Sequence, residues 1–133
     1  MDRNLQLIGI AKKAGLLAIG GDAVNSAARS GKVWLVISAS DASEGALRRS
    51  RYVTQSSHAA YVVAPYTKFE LGNVTGRGSP GTIAILDAGL SAGFVKGLAG
   101  ADPGRYGETA ALLEEQARDL AETKKTTQRR TAK

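Results

Sequence analysis

The sequence predicts an α/β protein, a three-layer α-β-α sandwich around a small four-stranded mixed sheet, with a helical extension at the C-terminal end. Three observations predict it. Short apolar runs alternate with stretches of helical period through the first hundred residues, and that alternation implies helices packed on both sides of a sheet. Sixteen glycines among 133 residues exceed the average usage of about 7%, which supplies turns between the runs. The balance of 43% hydrophobic to 23% charged residues is that of a folded chain.

Each element follows from its residues. Leu5, Ile8 and Ala11, with Leu7 and Ile10 beside them, recur at helical spacing, and Lys12 and Lys13 stand where cations favour a helix C-terminus before Gly15. A first helix over 2–14 is expected. Residues 16–19 form a brief apolar strand ahead of Gly20 and Gly21. Asp22 then caps or begins a second helix with Ala23, Val24, Ala27 and Ala28 as its buried stripe, and Gly31 stops it. VWLVI, 33–37, is the strongest strand signal, a continuous apolar run suited to a strand covered on both faces. SASDAS, 38–43, is a turn rich in capping residues, leading to a helix over 44–57 that carries Arg48, Arg49 and Arg51. AYVVA, 60–64, is the next strand, and Pro65 ends it. A short helix over 68–74 turns Phe69, Leu71 and Val74 inward, GRGSPG makes a tight loop, TIAIL over 82–86 is the last strand, and 91–98 is a closing helix.

Residues 1–100 thus form one domain, its core spanning about 3–99, and 101–133 differ in character. ADPGRYG reads as a linker, 108–122 as a helix with Ala110, Leu113, Ala117 and Leu120 on one face, and 123–133 as a basic tail that is disordered when free.

Charge points to a partner. Eighteen basic against twelve acidic residues give a net +6, which favours a polyanion, nucleic acid before membrane. The excess is zoned: 1–100 hold 11 basic and 6 acidic side chains, 101–122 hold 2 and 6, and 123–133 hold 5 and none. With no cysteine and His58 as the sole imidazole, disulfide scaffolds, zinc ribbons, Fe–S clusters and thiol catalysis are excluded, and no cofactor is expected. The N-terminus is unlike a secretory signal and no stretch is long enough for a membrane span, so a cytoplasmic protein is expected.

The run LIGIAKKAGLLAIGGDAVNSAARSGKVWLVISASDAS, followed by FELGNVTGRGSPGTIAILDAG, resembles the superfamily of kink-turn-binding ribosomal proteins, L-seven-Ae and L-thirty-e, with their small stand-alone bacterial (YlxQ-like) relatives. The resemblance rests on G-x-x-A-V-x-x-A-x-x-S-G, L-V-I-x-A-x-D-A-S and E-L-G in that order, over the first two-thirds of the chain. It implies a three-layer α-β-α fold that binds structured RNA, such as a kink-turn or ribosomal RNA, through one end of the domain, on or near the ribosome, with no small-molecule substrate. The implied surface comprises Gly20, Gly21, Asp22 and Ser26 at the second helix, Ser40 and Asp41 after the second strand, and Arg77, Gly78, Ser79 and Pro80 before the last. A helix N-terminus after glycines offers amides and a positive dipole end to phosphate, and a glycine loop lets backbone approach a splayed nucleotide.

This chain departs from the family where relatives commonly carry Asn or Glu followed by Glu, and a Lys four residues on. Gly21, Asp22, Ala23 and Ser26 stand there, and Leu16 replaces a frequent basic residue. Two readings of Asp22 remain, a helix cap and an acceptor for guanine amino groups. Lys12, Lys13, Arg29 and Lys32 flank the surface as phosphate contacts or as a solvated face. Arg77, between two glycines, has no packing reason to be a guanidinium and is the first choice for RNA. Arg48, Arg49 and Arg51 are expected to face solvent away from the site.

Enzyme chemistry finds no constellation. GRGSPG lies between helix and strand, the reverse of a phosphate-binding strand-loop-helix. Asp41 and Asp87 follow strands without a partner base, His58 ends a helix, and Trp34 and Tyr61 read as core. The alternative to RNA binding is a protein-interaction module of the same fold that has lost kink-turn specificity, using the apolar stripe of the C-terminal helix.

Overall fold

The computed structural model describes residues 2–131, with side chains through Thr123. In chain order the elements are α1 (Arg3–Lys13), β1 (Leu17–Ile19), α2 (Gly21–Arg29), β2 (Leu35–Ser38), α3 (Glu44–Ser57), β3 (Ala60–Val63), α4 (Lys68–Thr75), β4 (Thr82–Ile85), α5 (Ala88–Ala101) and α6 (Pro103–Thr131). The four strands form one mixed sheet in the order β1-β4-β2-β3. β4 pairs antiparallel with both β1 and β2, and β2 pairs parallel with β3.

Strand side chains alternate between faces, and the two faces build two cores. Leu35 and Ile37 of β2, Ile83 and Ile85 of β4 and Val62 of β3 point to one side, where Leu5, Ile8, Leu71, Phe94, Val95 and Leu98 meet them. That side is covered by α1, α4, α5 and α6. Ala18, Val36 and Ala84 point to the other side and pack on Val24 of α2 and Val53 of α3, with Ala27 and Ala28 at the margin. All four residues of β2 and of β4 are buried, as expected of central strands. Tyr61 packs on the second core and donates a hydrogen bond to Ser38 Oγ at 2.9 Å. Trp34, placed in the core by its apolar neighbours, is only half-buried ahead of β2.

Capping explains where the helices begin. Asp2 accepts from the Asn4 amide, Ser43 from Ala46 and Asp87 from Leu90, while Thr67 and Glu70 form a reciprocal capping box. Asp87 therefore works as the cap of α5. His58 closes α3 in the left-handed region, φ 61°, with its ring exposed.

The C-terminal quarter corrects the sequence reading. No linker separates it: Asp102 closes α5 and Pro103 opens α6 directly. Proline is tolerated at a first helical position because its missing N–H has no helical partner there. Tyr106, Ala110 and Leu113 are buried in the main core, and the Tyr106 hydroxyl donates to Val63 O of the edge strand at 2.8 Å. The expected disordered tail continues as helix to Thr131, with Ala132 and Lys133 outside the described residues. Lys96 of α5 and Glu114 of α6 add a surface ion pair at 3.8 Å. Two further expectations change at single residues: Ala23 and Phe69, both expected inward, are exposed, Phe69 by 68%. No helix among the described residues is long and apolar enough to cross a membrane.

Candidate nucleic-acid interface

Topology gathers three loops at one end of the sheet. β1 and β2 finish where β4 starts, since Ile19 pairs with Ile83 and Ser38 with Thr82. The Gly20 amide donates to Thr82 O at 2.9 Å, Ala39 to Gly81 O at 2.9 Å, and Ser40 to Tyr66 O at 2.8 Å. Gly20, Gly21 and Asp22, the Ser40–Asp41 turn and the loop of Arg77, Gly78, Ser79 and Pro80 are thereby brought together.

Three helices start at this end, and they differ in how their first amides are used. In α3 Ser43 Oγ accepts from Ala46, and in α4 the Thr67 box is supplemented by Asp41, whose Oδ1 accepts from the Lys68 amide at 2.8 Å. Asp41 is thus a brace between the turn after β2 and the start of α4. At α2 the cap is Gly20, held at φ 91°, and no side chain bonds to the helix start. The first helical hydrogen bond runs from Val24 N–H to Gly20 O at 3.0 Å. The amides of Gly21, Asp22 and Ala23 have no partner among the described residues and face solvent at the positive end of the helix dipole. The cap reading of Asp22 is corrected here: it is the second residue inside the helix and its exposed carboxylate caps nothing.

The glycine loop is fixed at its root and open at its tip. Gly76 ends α4 at φ 68°, and Thr75 Oγ1 donates to Leu71 O at 2.8 Å while accepting from the Arg77 amide at 3.4 Å. The Gly78 carbonyl folds back onto Gly72, where a Cβ would collide with it. Arg77, Gly78 and Ser79 are exposed, and Arg77 forms no ion pair among the described residues. Lys12 Nζ lies 3.1 Å from the place a Gly76 Cβ would occupy, so its ammonium sits at the C-terminal end of α4 beside the loop root. Lys13 is exposed in the last turn of α1. Lys32 does not join the site. Its amide bonds Ala27 O, and the chain just beyond it pairs through Trp34 with Ile85, at the opposite end of β4.

From the loop end a cleft of about 920 Å³ runs between α2 and α3, reaching from Gly21, Asp22 and Gly81 to Arg29 and Ser56. Arg48, Arg49 and Tyr52 line its α3 side. Its floor includes Ser50 and Thr82, whose hydroxyls share a hydrogen bond of 3.0 Å. The expectation that Arg48 and Arg49 lie away from the site is corrected, because α2 and α3 each follow a strand that ends at the loop end and so lie side by side on one face. Ser26 is exposed on α2, and Arg29 reaches the cleft from the last turn of that helix. Lys68 also joins the site: its side-chain methylene lies 3.9 Å from the Gly81 Cβ position. Among the described residues no three His, Cys, Asp or Glu side chains gather to hold a metal ion.

A solved protein with unknown function from Bacillus halodurans C matches this architecture at a TM-score of 0.67 and 28% identity, covering 74% of this chain and 98% of that chain. The fold recurs there. No family model matches the chain, and no curated protein does.

Proposed function

We propose that this chain is a non-enzymatic cytoplasmic protein that binds structured RNA through the loop end, in the manner of the kink-turn-binding ribosomal proteins its sequence resembles. The observation that carries the reading is the uncapped start of α2, three free amides beside a glycine loop that presents Arg77. Such amides bind phosphate, and a loop this lean lets an unstacked nucleotide approach backbone. Ribosomal RNA is the partner we favour, since the chain carries net positive charge at both the core and the C-terminal end. The site needs no cofactor for this.

Ser26 is exposed where relatives carry a lysine, so backbone amides, Arg77 and Lys68 take the phosphates in its place. A mobility-shift titration against a kink-turn RNA and a plain duplex of equal length tests the proposal. Tighter binding to the kink-turn, weakened in Arg77→Ala, is expected. Equal weak binding to both, unaffected by that substitution, would reduce the chain to tail electrostatics and favour the protein-interaction reading.

A further inference from the structure

We infer that the cleft between α2 and α3 holds a single-stranded run of RNA leaving the folded element at the loop end, with Tyr52 as its stacking platform and Arg29, Arg48 and Arg49 on its phosphates. The inference rests on the RNA reading above and names what lies beyond the loop end.

Continuity is the first support. The cleft opens at Gly21, the first residue of the uncapped helix, and at Gly81, next to the Thr82 whose carbonyl accepts from the Gly20 amide, so a strand held there runs directly into it. Charge is the second. Three arginines line the cleft against one carboxylate, Asp22, and none of them forms an ion pair among the described residues. Unpaired guanidiniums spaced along one groove suit a polyanion. The third is Tyr52, 71% exposed while its neighbour Val53 is buried. Arg48, Tyr52 and Ser56 stand four residues apart along α3, in one row on the cleft wall.

An exposed aromatic ring among arginines decides between strand and duplex, because it acts on unpaired bases, whose faces are free to stack.

The test uses the full chain and three RNAs: a kink-turn stem, the same stem with a ten-uridine overhang at its 3′ end, and the same stem with that overhang at its 5′ end. Affinities are measured for the wild type, Tyr52→Ala, Tyr52→Phe, the Arg48→Gln/Arg49→Gln pair and Arg77→Ala. Wild type is expected to prefer one overhang RNA over the blunt stem by roughly tenfold, the worth of one good stack. Tyr52→Ala erases that gain and Tyr52→Phe keeps it. The arginine pair flattens the salt dependence on the overhang RNA by about 0.7 per lost phosphate contact. Arg77→Ala weakens all three RNAs and preserves the gain. No gain from either overhang, or a gain that survives Tyr52→Ala and the arginine pair, overturns the cleft assignment. An Arg77→Ala variant that binds every RNA normally overturns the loop-end reading instead.

Discussion

Arg77 is displayed by its surroundings: Gly76 turns the chain out of α4, Thr75 holds the Arg77 amide, and the side chain stands in solvent. Arg77→Ala should therefore leave thermal stability unchanged and weaken RNA binding by about five- to tenfold, with a shallower salt dependence. Gly72→Ala should do the reverse in kind. A Cβ there meets the Gly78 carbonyl, and relieving that overlap costs about 1–3 kcal/mol, readable as a lower urea midpoint. Tyr66 gives a pH signature. Burial pushes its hydroxyl from 10 up to about 12, with Asn4 opposing and Asp2 and Glu70 adding. The folded protein keeps the neutral phenol where the unfolded chain ionises, so its stabilisation is complete below pH 10 and lost as pH rises to 12. Buried Tyr106 is raised in the same direction. Unfolding measured from pH 9 to 12 should show wild type losing stability over that window, by on the order of 2–3 kcal/mol more than Tyr66→Phe. Of these residues, the exposure of Arg77 was legible in the sequence because a guanidinium between glycines has no packing partner. Phe69 was not, because its apolar character fits a helical face that α4 turns to solvent, and Asp22 was not, because Gly20 takes the capping position at a φ only glycine adopts easily.

Among elements, the boundary residues decide both stability and site. Asp41 occupies a position that the family resemblance gives to RNA, yet its carboxylate is spent on the Lys68 amide. Asp41→Ala should cost about 1 kcal/mol, seen in thermal unfolding, and change RNA affinity less than Arg77→Ala does. The strands and α1 to α5 could be read from the sequence to within a few residues, because apolar runs and caps are local signals. The partnership of α2 with α3 could not, since it follows from which end of the sheet each strand reaches. The junction of α5 and α6 misled in another way. ADPGRYG has linker composition, but Pro103 is harmless at a helix start and buried Tyr106 ties the segment to β3.

At the scale of the molecule, α6 is part of the main core, and its sequence ends in a run of basic residues. Leu113 is fully buried, so Leu113→Ala should lower stability by about 2–5 kcal/mol without altering RNA preference. Removing residues 103–133 should expose the Phe94 face and bind a hydrophobic dye. Removing only 124–133 should spare the fold, lower affinity for every RNA alike, and reduce the salt slope, since that segment holds five basic residues and no acid. The net +6 was readable at once, and its zones by counting, but the cleft that joins Arg29, Arg48 and Arg49 needed the folded chain.

The packing of α6 also carries a cost in time. During synthesis every strand and α5 precede it, and its thirty or so residues take about 2–6 s to make at typical elongation rates. Through that interval the nascent sheet has Tyr66 and Phe94 without their cover, an apolar surface open to chaperones or to a neighbouring chain. A ribosome stalled before α6 would hold a sticky intermediate, whereas the released chain, with Tyr106, Ala110 and Leu113 in place, holds a finished core.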